Sequence, residues 1–481
     1  MKLVSKPYLY FCSLLLLAGC ADYAKPPISV DNISYTKLQE KEKSLIPPDI
    51  KLLTLGEAQQ IALANNQDFK SIQFSLDSAR SRYFQSMSYY APTLNAGMTI
   101  SQSFNRTYSS HNTPKNHGQS ESYQPGISGQ LLIFDCLARE FNLLAAKVGV
   151  HQAQSNIDDA KRILLRAVAY AYNDIQLALT QRQIIQAQLN YSIQMLEEAR
   201  NKYNAGTTLL SDVNNFEITR KNSELELIAI NYNIKANKYI LAGYLGLTDG
   251  TIPEHIEFPD ITMPEDVFLP NVEFYIDQAL KNRPDLKVLR DQFKISKYNY
   301  WTTIANLGPT INGTYQLNYN QSRNLSHGSD GARTSSNSGS GGFGYGLNAS
   351  WVLFDGFANY NNIKIAAANM AQADYNQAQN WIDIITEVRN AYENYVSSVE
   401  AAKLSQQIYQ LTLETRNLVD NEYNAGTALV TRVNQAETAL VQAQNNLATA
   451  IVNISNAQAQ LDAAIYGSMQ LEEESKNEKN N

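Results

Sequence analysis

The residues best able to do chemistry in this 481-residue chain are five histidines and three cysteines. The histidines, at positions 111, 117, 151, 255 and 327, are scattered, and none has zinc-ligand spacing to another His or Cys. The glycine-rich stretch GSGGFGYG, at 339–346, has neither the lysine nor the following helix of a phosphate-binding loop. The sequence therefore indicates no catalytic centre and no metal site, and we expect a protein that is not an enzyme.

One cysteine stands where a covalent modification is expected. The chain opens with two lysines, an apolar run from Leu9 to Leu17, and then Ala18, Gly19 and Cys20. Because the run is too short to cross a ~30 Å hydrocarbon core as a helix, residues 1–19 are predicted to be a signal peptide. Its end resembles the lipobox of bacterial lipoproteins, which implies acyl chains, palmitate among them, on Cys20. The alternative is ordinary cleavage beside an unmodified cysteine. No cofactor is expected apart from this lipid.

Two segments of the chain nearly repeat each other 220 positions apart. YNAGTTLLSDV occupies 203–213 and YNAGTALVTRV occupies 423–433. Earlier in the chain, ALANNQDFK at 62–70 matches ALKNRPDLK at 279–287 with an offset of 217, which indicates a later three-residue insertion. We interpret the chain as a tandem duplication. Its predicted parts are a lipidated extended tether (20–54), a first repeat (55–250), a proline-rich linker (251–270), a second repeat (271–470) and a polar disordered tail (471–481).

Long helices are predicted in both repeats. No proline occurs between Pro125 and Pro253, and none follows Pro309. The stretch from Leu137 to Tyr203 alone would form a helix of ~100 Å. A seven-residue apolar period is typical of a coiled coil, whereas an amphipathic helix on a globular core is the alternative. The period is formed by Leu227, Ile234 and Leu241 in the first repeat and by Leu440, Leu447, Ile454 and Leu461 in the second.

Each repeat also contains a predicted β-hairpin, at about 93–134 and about 310–354. Apolar and polar residues alternate there with the period of two that marks a strand with one apolar face. The polar, Ser- and Gly-rich stretches 105–124 and 321–342 are predicted to be loops. Such strands suit a transmembrane barrel, although a soluble antiparallel sheet shows the same alternation.

The number of strands predicts an oligomer. About eight strands are the fewest that close a barrel, so four strands per chain leave open edges, which a lipid environment does not tolerate. Three chains would supply twelve strands. The formal charge of −7, with no cluster of Lys and Arg, excludes nucleic acid as an expected partner.

Several motifs together resemble the TolC outer-membrane efflux channel family. They are LTLGEAQQIALANN (53–66), RPDL (283–286), FDG (354–356) and the repeated YNAG, while DYAKPP (22–27) after the lipobox is similar to the lipidated branch of that family. The resemblance implies a mainly α fold with a β-barrel portion: a homotrimer that shares a 12-stranded barrel in outer-membrane lipid and an α-helical tunnel through the periplasm.

The same resemblance implies a passive exit duct for drugs or other small molecules. A periplasmic adaptor (membrane fusion) protein and an inner-membrane efflux pump or ABC exporter would be its partners. Two alternatives stay open, namely a duct for type I protein secretion and a non-channel coiled-coil lipoprotein.

The repeated YNAG segments are predicted to be coiled-coil tips that form a periplasmic gate. Asn204 and Gly206, like Asn424 and Gly426, are expected to tolerate the left-handed backbone that ends one helix, and Thr207 and Thr427 are expected to help start the next. In the resembled family, tyrosine, aspartate and arginine at the tips hold neighbouring hairpins together. The arginine of that set is replaced here by Ala428, so an Asp212–Arg432 link is a hypothesis, and two solvated charges are the alternative. The candidate gate residues are Tyr203, Gly206, Ser211, Asp212, Tyr423, Gly426 and Arg432.

Overall fold

The computed structural model describes residue 46 and residues 50–107, 116–263, 271–327 and 332–467. The predicted signal peptide, Cys20 and the predicted tail at 471–481 lie outside the described residues. In chain order the elements are α1 (Leu55–Asn65), α2 (Gln67–Ser88), β1 (Thr93–Thr107), β2 (Asn116–Phe134), α3 (Ala138–Asn204), α4 (Leu210–Leu245), α5 (Val272–Asn282), α6 (Pro284–Ala305), β3 (Thr310–His327), β4 (Arg333–Ser350), α7 (Ala358–Asn424) and α8 (Val430–Ile465).

Matching helix lengths make the duplication visible. Helices α3 and α7 have 67 residues each, or ~100 Å at 1.5 Å per residue. Helices α4 and α8 have 36 each, α1 and α5 have 11 each, and α2 and α6 have 22 each. The long helices predicted from the placement of proline are therefore confirmed. No helix in the described part of the chain is both long enough and apolar enough to cross a membrane.

The chain forms two compact units. The first contains Met1–Ser71, Lys161–Leu269 and Ala391–Ala463, and the second contains Ile72–Ala160, Pro270–Asn390 and Ala464–Asn481. The described part of the first unit is helical apart from its loops and one short bridge, in which Leu52 pairs with Glu257 of the linker. The next residue, Leu53, is fully buried. The end of the predicted tether is thus packed against the linker.

The heptad positions of α4 and α8 are part of the core of the first unit. Ile234 and Leu241 on α4 are buried, as are Leu440, Ile454 and Leu461 on α8. Leu227 packs against a cluster of buried side chains that includes Ile230 and Ile234, and Leu447 is half-buried. A buried Leu or Ile contributes about 1.5–3 kcal/mol relative to an exposed one, so burial of these side chains stabilises the unit.

The second unit contains one antiparallel sheet with the strand order β1-β2-β3-β4. One face of the sheet, which we call the apolar face, carries Leu94, Met98 and Ile100 of β1, and their register partners in the neighbouring strands continue it. One row of partners on this face consists of Ala96, Ile127, Leu317 and Phe343.

The opposite face, which we call the polar face, is built from hydroxyl, amide and glycine positions. Cross-strand hydrogen bonds join Ser120 to Asn324 and Ser322 to Ser338, each at 2.7 Å. From Thr93 to Thr107, Asn116 to Gln130, Thr310 to Ser326 and Thr334 to Ser350, no residue at a polar-face register position has an ionisable side chain.

The strands are longer than the sequence predicted. Strands β1 and β2 continue through Thr107 and from Asn116, and β3 and β4 continue to His327 and from Arg333. The predicted loops 105–124 and 321–342 were therefore wrong over most of their length. Backbone pairing satisfies the polar groups of these Ser-, Asn- and Gly-rich stretches, which have weak strand propensity on their own. Strand β4 ends at Ser350 instead of Phe354, and the Trp351 indole donates to the carbonyl of Leu307 at 2.9 Å.

A two-residue turn leads from each hairpin into its long helix. Cys136 and Leu137 before α3 have φ values of 56° and 72°, and Gly356 and Phe357 before α7 have 70° and 69°. The preceding aspartate closes the turn in both copies, since the Asp135 carboxylate accepts from the backbone N–H of residue 139 at 2.8 Å, and Asp355 does the same for residue 359 at 2.8 Å. The FDG motif and its FDC copy are helix-start signals.

A second repeated contact occurs where the short helices meet. In the first unit, the Asn66 amide donates to the carbonyl of Tyr244 at 3.0 Å. In the second unit, the matching residue is Arg283, which is 4% exposed and donates to the carbonyl of Ala464 at 3.2 Å. Arg283 also pairs with Glu387 at 2.6 Å and with Asp285 at 2.8 Å. The arginine of RPDL therefore ties α5, α6, α7 and the end of α8 together.

Candidate functional site: the paired helix tips

Both tips, which belong to the first unit, end their long helix with the same turn. Gly206 and Gly426 have φ values of 76° and 77°, a conformation that glycine adopts without strain. The N–H of each glycine bonds the carbonyl of the tyrosine three residues earlier, at 2.9 and 3.0 Å. The N–H of the following threonine bonds the carbonyl five residues back, at 2.9 Å in both tips. Each pair of bonds is a Schellman motif, which satisfies carbonyls at the helix end.

The tip threonines act differently from the prediction. The Thr207 hydroxyl donates to the carbonyl of Lys202 at 2.9 Å, and Thr427 donates to that of Glu422 at 2.9 Å. Both therefore cap the helix that ends, and α4 and α8 begin only at Leu210 and Val430. The carbonyls at a helix end lack partners within the helix, so the hydroxyl bonds there.

Tyr423 lies at the centre of the contact between the two tips. It is 7% exposed, and its ring meets Phe216 of α4 edge-on, with centroids 6.4 Å apart. The Lys202 ammonium lies 3.9 Å from the centroid of the Tyr423 ring. Burial raises the pKa of the Tyr423 phenol, with a further contribution from Asp212. The matching Tyr203 is 44% exposed, so only the second copy of this tyrosine is in the core.

Buried side chains from all four tip helices surround Tyr423. They form one cluster of Met195, Leu196, Ala199, Val213, Phe216, Val419, Tyr423, Val430 and Val433. The tips of a single chain are thus fixed to each other by an apolar core, in addition to any polar contact. Val213 and its copy Val433, the last residues of the two repeated segments, both pack in this cluster.

The structure does not bring Asp212 and Arg432 together within the chain. The Asp212 carboxylate accepts from the Thr208 hydroxyl at 2.6 Å, and Ser211 beside it is exposed. The Arg432 side chain is 60% exposed. It pairs at 3.0 Å with Glu422 on α7, the other helix of the same tip. An Asp212–Arg432 link between tips of different chains stays a hypothesis.

Sequence reasoning missed a polar network on the same helices. The Tyr191 hydroxyl on α3 donates to Asp420 on α7 at 2.6 Å. Arg416, also on α7, pairs with Asp420 at 3.1 Å and with Glu437 on α8 at 3.0 Å. The Arg416 guanidinium also lies 4.2 Å from the centroid of the Tyr191 ring. The spacing of Arg416 and Asp420 by four residues on one helix was the available signal, whereas Tyr191 gave none.

Burial of part of this network raises the free energy of its ionised groups. Glu437 is 7% exposed, and burial raises its pKa while Arg416 opposes that rise. Burial and the bond to Asp420 raise the pKa of the Tyr191 phenol, so it stays protonated and donates. In the first repeat, Glu217 occupies the position that matches Glu437, and it pairs with Arg200 at 3.1 Å and with Arg220 at 2.6 Å on a more exposed surface. The bond between Tyr191 and Asp420 therefore attaches the second tip to α3 of the first repeat.

No group of three or more His, Cys, Asp or Glu that could hold a metal ion occurs among the described residues. The contacts that the structure shows at the tips are one apolar core and one ion-pair network, which hold the two helical hairpins together.

Comparison with solved structures supports this fold. A membrane protein from Pseudomonas aeruginosa is 16% identical with a TM-score of 0.72, over 93% of this chain and 99% of the other. The CmeC outer membrane channel of Campylobacter jejuni is 15% identical with a TM-score of 0.69, over 88% and 89%. The MtrE outer membrane channel of Neisseria gonorrhoeae, in its open state, is 17% identical with a TM-score of 0.67, over 92% and 97%.

The comparison with curated proteins found no match. The family model for outer membrane efflux proteins matches twice, at residues 58–247 and 275–466. Each match falls inside one of the two repeats, which is the arrangement expected of a duplicated chain. The protein therefore belongs to the outer membrane efflux protein family.

Proposed function

We propose that this protein is the outer-membrane exit duct of a tripartite efflux system. Three chains share a 12-stranded barrel, and their long helices continue as a tunnel through the periplasm. A periplasmic adaptor protein and an inner-membrane pump deliver drugs or other small molecules, and the duct itself is passive.

The observation that carries this proposal is the open four-stranded sheet. Among the residues that the structure describes, its edge strands β1 and β4 each pair on one side only. Leu94, Ile100, Phe343 and Tyr345 on the apolar face are 68–84% exposed. An apolar face suits lipid, but unpaired edges in lipid leave backbone groups unsatisfied, so neighbouring chains must close the barrel.

The proposed anchor is a lipid on Cys20, which would hold the start of the tether at the membrane. The resemblance of Leu17–Cys20 to a lipobox supports it. Intact-mass measurement of the membrane-extracted protein tests it. The mass expected is that of a chain starting at residue 20 plus a diacylglyceryl group and an amide-linked acyl chain. Cys20→Ala should lose the added mass, and an unmodified mature chain would contradict the anchor.

Conductance and stoichiometry test the duct. Purified protein would be inserted into a planar bilayer, and native mass spectrometry of the same sample would count the chains. Trimers with small, steady conductance are expected because the tips narrow the tunnel. Protein of another stoichiometry that forms no pore would refute the proposal and favour a coiled-coil scaffold.

A further inference from the structure

The apolar face of the sheet has a defined height. On β2 its positions run from Ile133 through Ile127 to Tyr123, and these three side chains are 40–48% exposed. Ten residues of strand span ~34 Å, which corresponds to ~25 Å across a membrane for strands tilted by ~40°. This is the height of the lipid-facing band of an outer-membrane barrel. The rows beyond Tyr123 therefore lie at or past the edge of this band, where Phe104 is the last large apolar side chain of β1 on this face.

The rows beyond this band change character on the same face. The first row consists of Gln102, Glu121, Arg323 and Asn337, and the last consists of Arg106, His117, His327 and Arg333. The row between them, Phe104, Gln119, Leu325 and Ser335, is half apolar. Residues opposite each other in register lie on one face of a sheet. Arg323, His327 and Arg333 are exposed. Glu121 is the one acidic residue at an apolar-face register position of the described strands.

The basic residues occupy one end and one face only. They lie where the two hairpins turn, at the end of the sheet away from the helix connections at Thr93, Phe134, Thr310 and Ser350. The polar face has no ionisable residue at the same level, where Ser326 instead bonds Thr334 at 2.7 Å. The positive charge is thus directed to the outside of the barrel, just above the band that contacts acyl chains.

We propose that this basic rim, formed by Arg323, His327 and Arg333, binds phosphate groups of the glycolipid in the outer leaflet. The proposal rests on the proposed function, because it needs the sheet to be in the outer membrane. The guanidinium fork of arginine matches phosphate with two parallel hydrogen bonds. A lipid that offers both acyl chains and phosphates fits an apolar band with a basic edge, whereas free phosphate fits only the edge.

Binding of lipid A to the purified full-length trimer tests the rim. Native mass spectrometry would compare diphosphorylated lipid A with its dephosphorylated form. The variant Arg323→Gln/Arg333→Gln would be compared with Arg82→Gln/Arg389→Gln, which removes two exposed arginines from α2 and α7. Loss of about fivefold in affinity per arginine at an anionic lipid surface gives an expected rise in Kd of about 25-fold for the rim variant. The control pair should bind as the unaltered protein does.

Three outcomes would overturn the assignment. They are equal affinity of the rim variant and the control, equal affinity for the two forms of lipid A, and full displacement of lipid A by inorganic phosphate at an equal concentration. Conductance of the unaltered protein separates this test from that of the duct. If the trimer conducts and the rim variant binds lipid A as the unaltered protein does, only the proposal of phosphate binding at the rim is refuted. If the unaltered protein forms no pore, the proposed duct function is refuted. The rim variant must form trimers with unaltered conductance to count as folded.

Discussion

Removing Arg416 should loosen the tips in a way that depends on pH. Arg416→Met keeps most of the volume of the side chain but leaves Glu437, 7% exposed, without its cation. Removing one partner of a fully buried pair costs ~3–5 kcal/mol. Because Arg416 and Asp420 each keep 21% of their side-chain surface exposed, we expect about 2–3 kcal/mol here. A loss of that size speeds amide exchange about 30- to 150-fold where exchange follows local opening.

The pH dependence follows from the carboxyl group. Burial already raises the pKa of Glu437, and Arg416 opposes the rise, so the variant raises the folded-state pKa further. A carboxyl whose pKa is higher when folded destabilises the fold above that pKa, and the penalty disappears as the pH falls below the unfolded value. The loss of stability caused by Arg416→Met should therefore be largest near pH 8 and should become smaller toward pH 4.

Hydrogen exchange measured by mass spectrometry on the full-length trimer would follow residues 191–216 and 416–437, with each variant compared with the unaltered protein at the same pH. Glu437→Gln added to Arg416→Met should restore much of the protection. Arg200→Met is the matched control because its pair with Glu217 leaves Arg200 59% exposed, so we expect a change below ~0.5 kcal/mol. A cost equal at pH 4 and pH 8, with no rescue by Glu437→Gln, would refute the reasoning.

Three further predictions concern thermal unfolding of the purified trimer. Burial raises the pKa of Asp462 from 3.8 to about 6. Asp462→Asn should therefore stabilise the folded protein by up to ~3 kcal/mol at pH 8 and by little at pH 4. Equal effects at the two pH values would contradict this prediction. Gly426→Ala should lower the free energy of unfolding by ~1–2 kcal/mol because the φ of Gly426 is 77°. The control Gly149→Ala, inside α3 with open space around it, should raise that free energy by ~1 kcal/mol. If Gly426→Ala has no effect, the turn tolerates a side chain. Arg283→Met should lower the free energy of unfolding by about 2–3 kcal/mol because Asp285 and Glu387, whose side chains are 20% and 32% exposed, lose a buried guanidinium. Arg283→Lys should recover only part of this loss, and full recovery by lysine would mean that charge alone matters.

The features that depend on a local sequence pattern could be predicted from the sequence. The absence of proline predicted the extent of α3 to within one residue at each end, and the repeated YNAG predicted glycines with left-handed backbone at both tips. Alternation predicted all four strands. Each of these signals depends on a few neighbouring residues, which is why each could be identified in one sequence.

The features that depend on distant partners could not be predicted. Strand pairing outweighs the weak strand propensity of stretches such as 333–342, so their ladder depends on β3 and not on their own composition. Tyr191 is 229 residues from Asp420, and nothing near either residue marks the bond. Tyr423 is buried and Tyr203 is exposed, although both begin the same segment, YNAGT. Long-range contacts of this kind are set by how the helices pack.

The uncharged polar face has a consequence for cargo. Hydroxyl and amide groups both donate and accept hydrogen bonds, so a hydrated solute can exchange its water contacts for wall contacts at little cost in either direction. A wall without fixed charge gives no deep electrostatic well in which a cation or an anion would be retained. Solutes of either sign would therefore traverse this segment with similar ease, and sieving by size would replace sorting by charge at the exit.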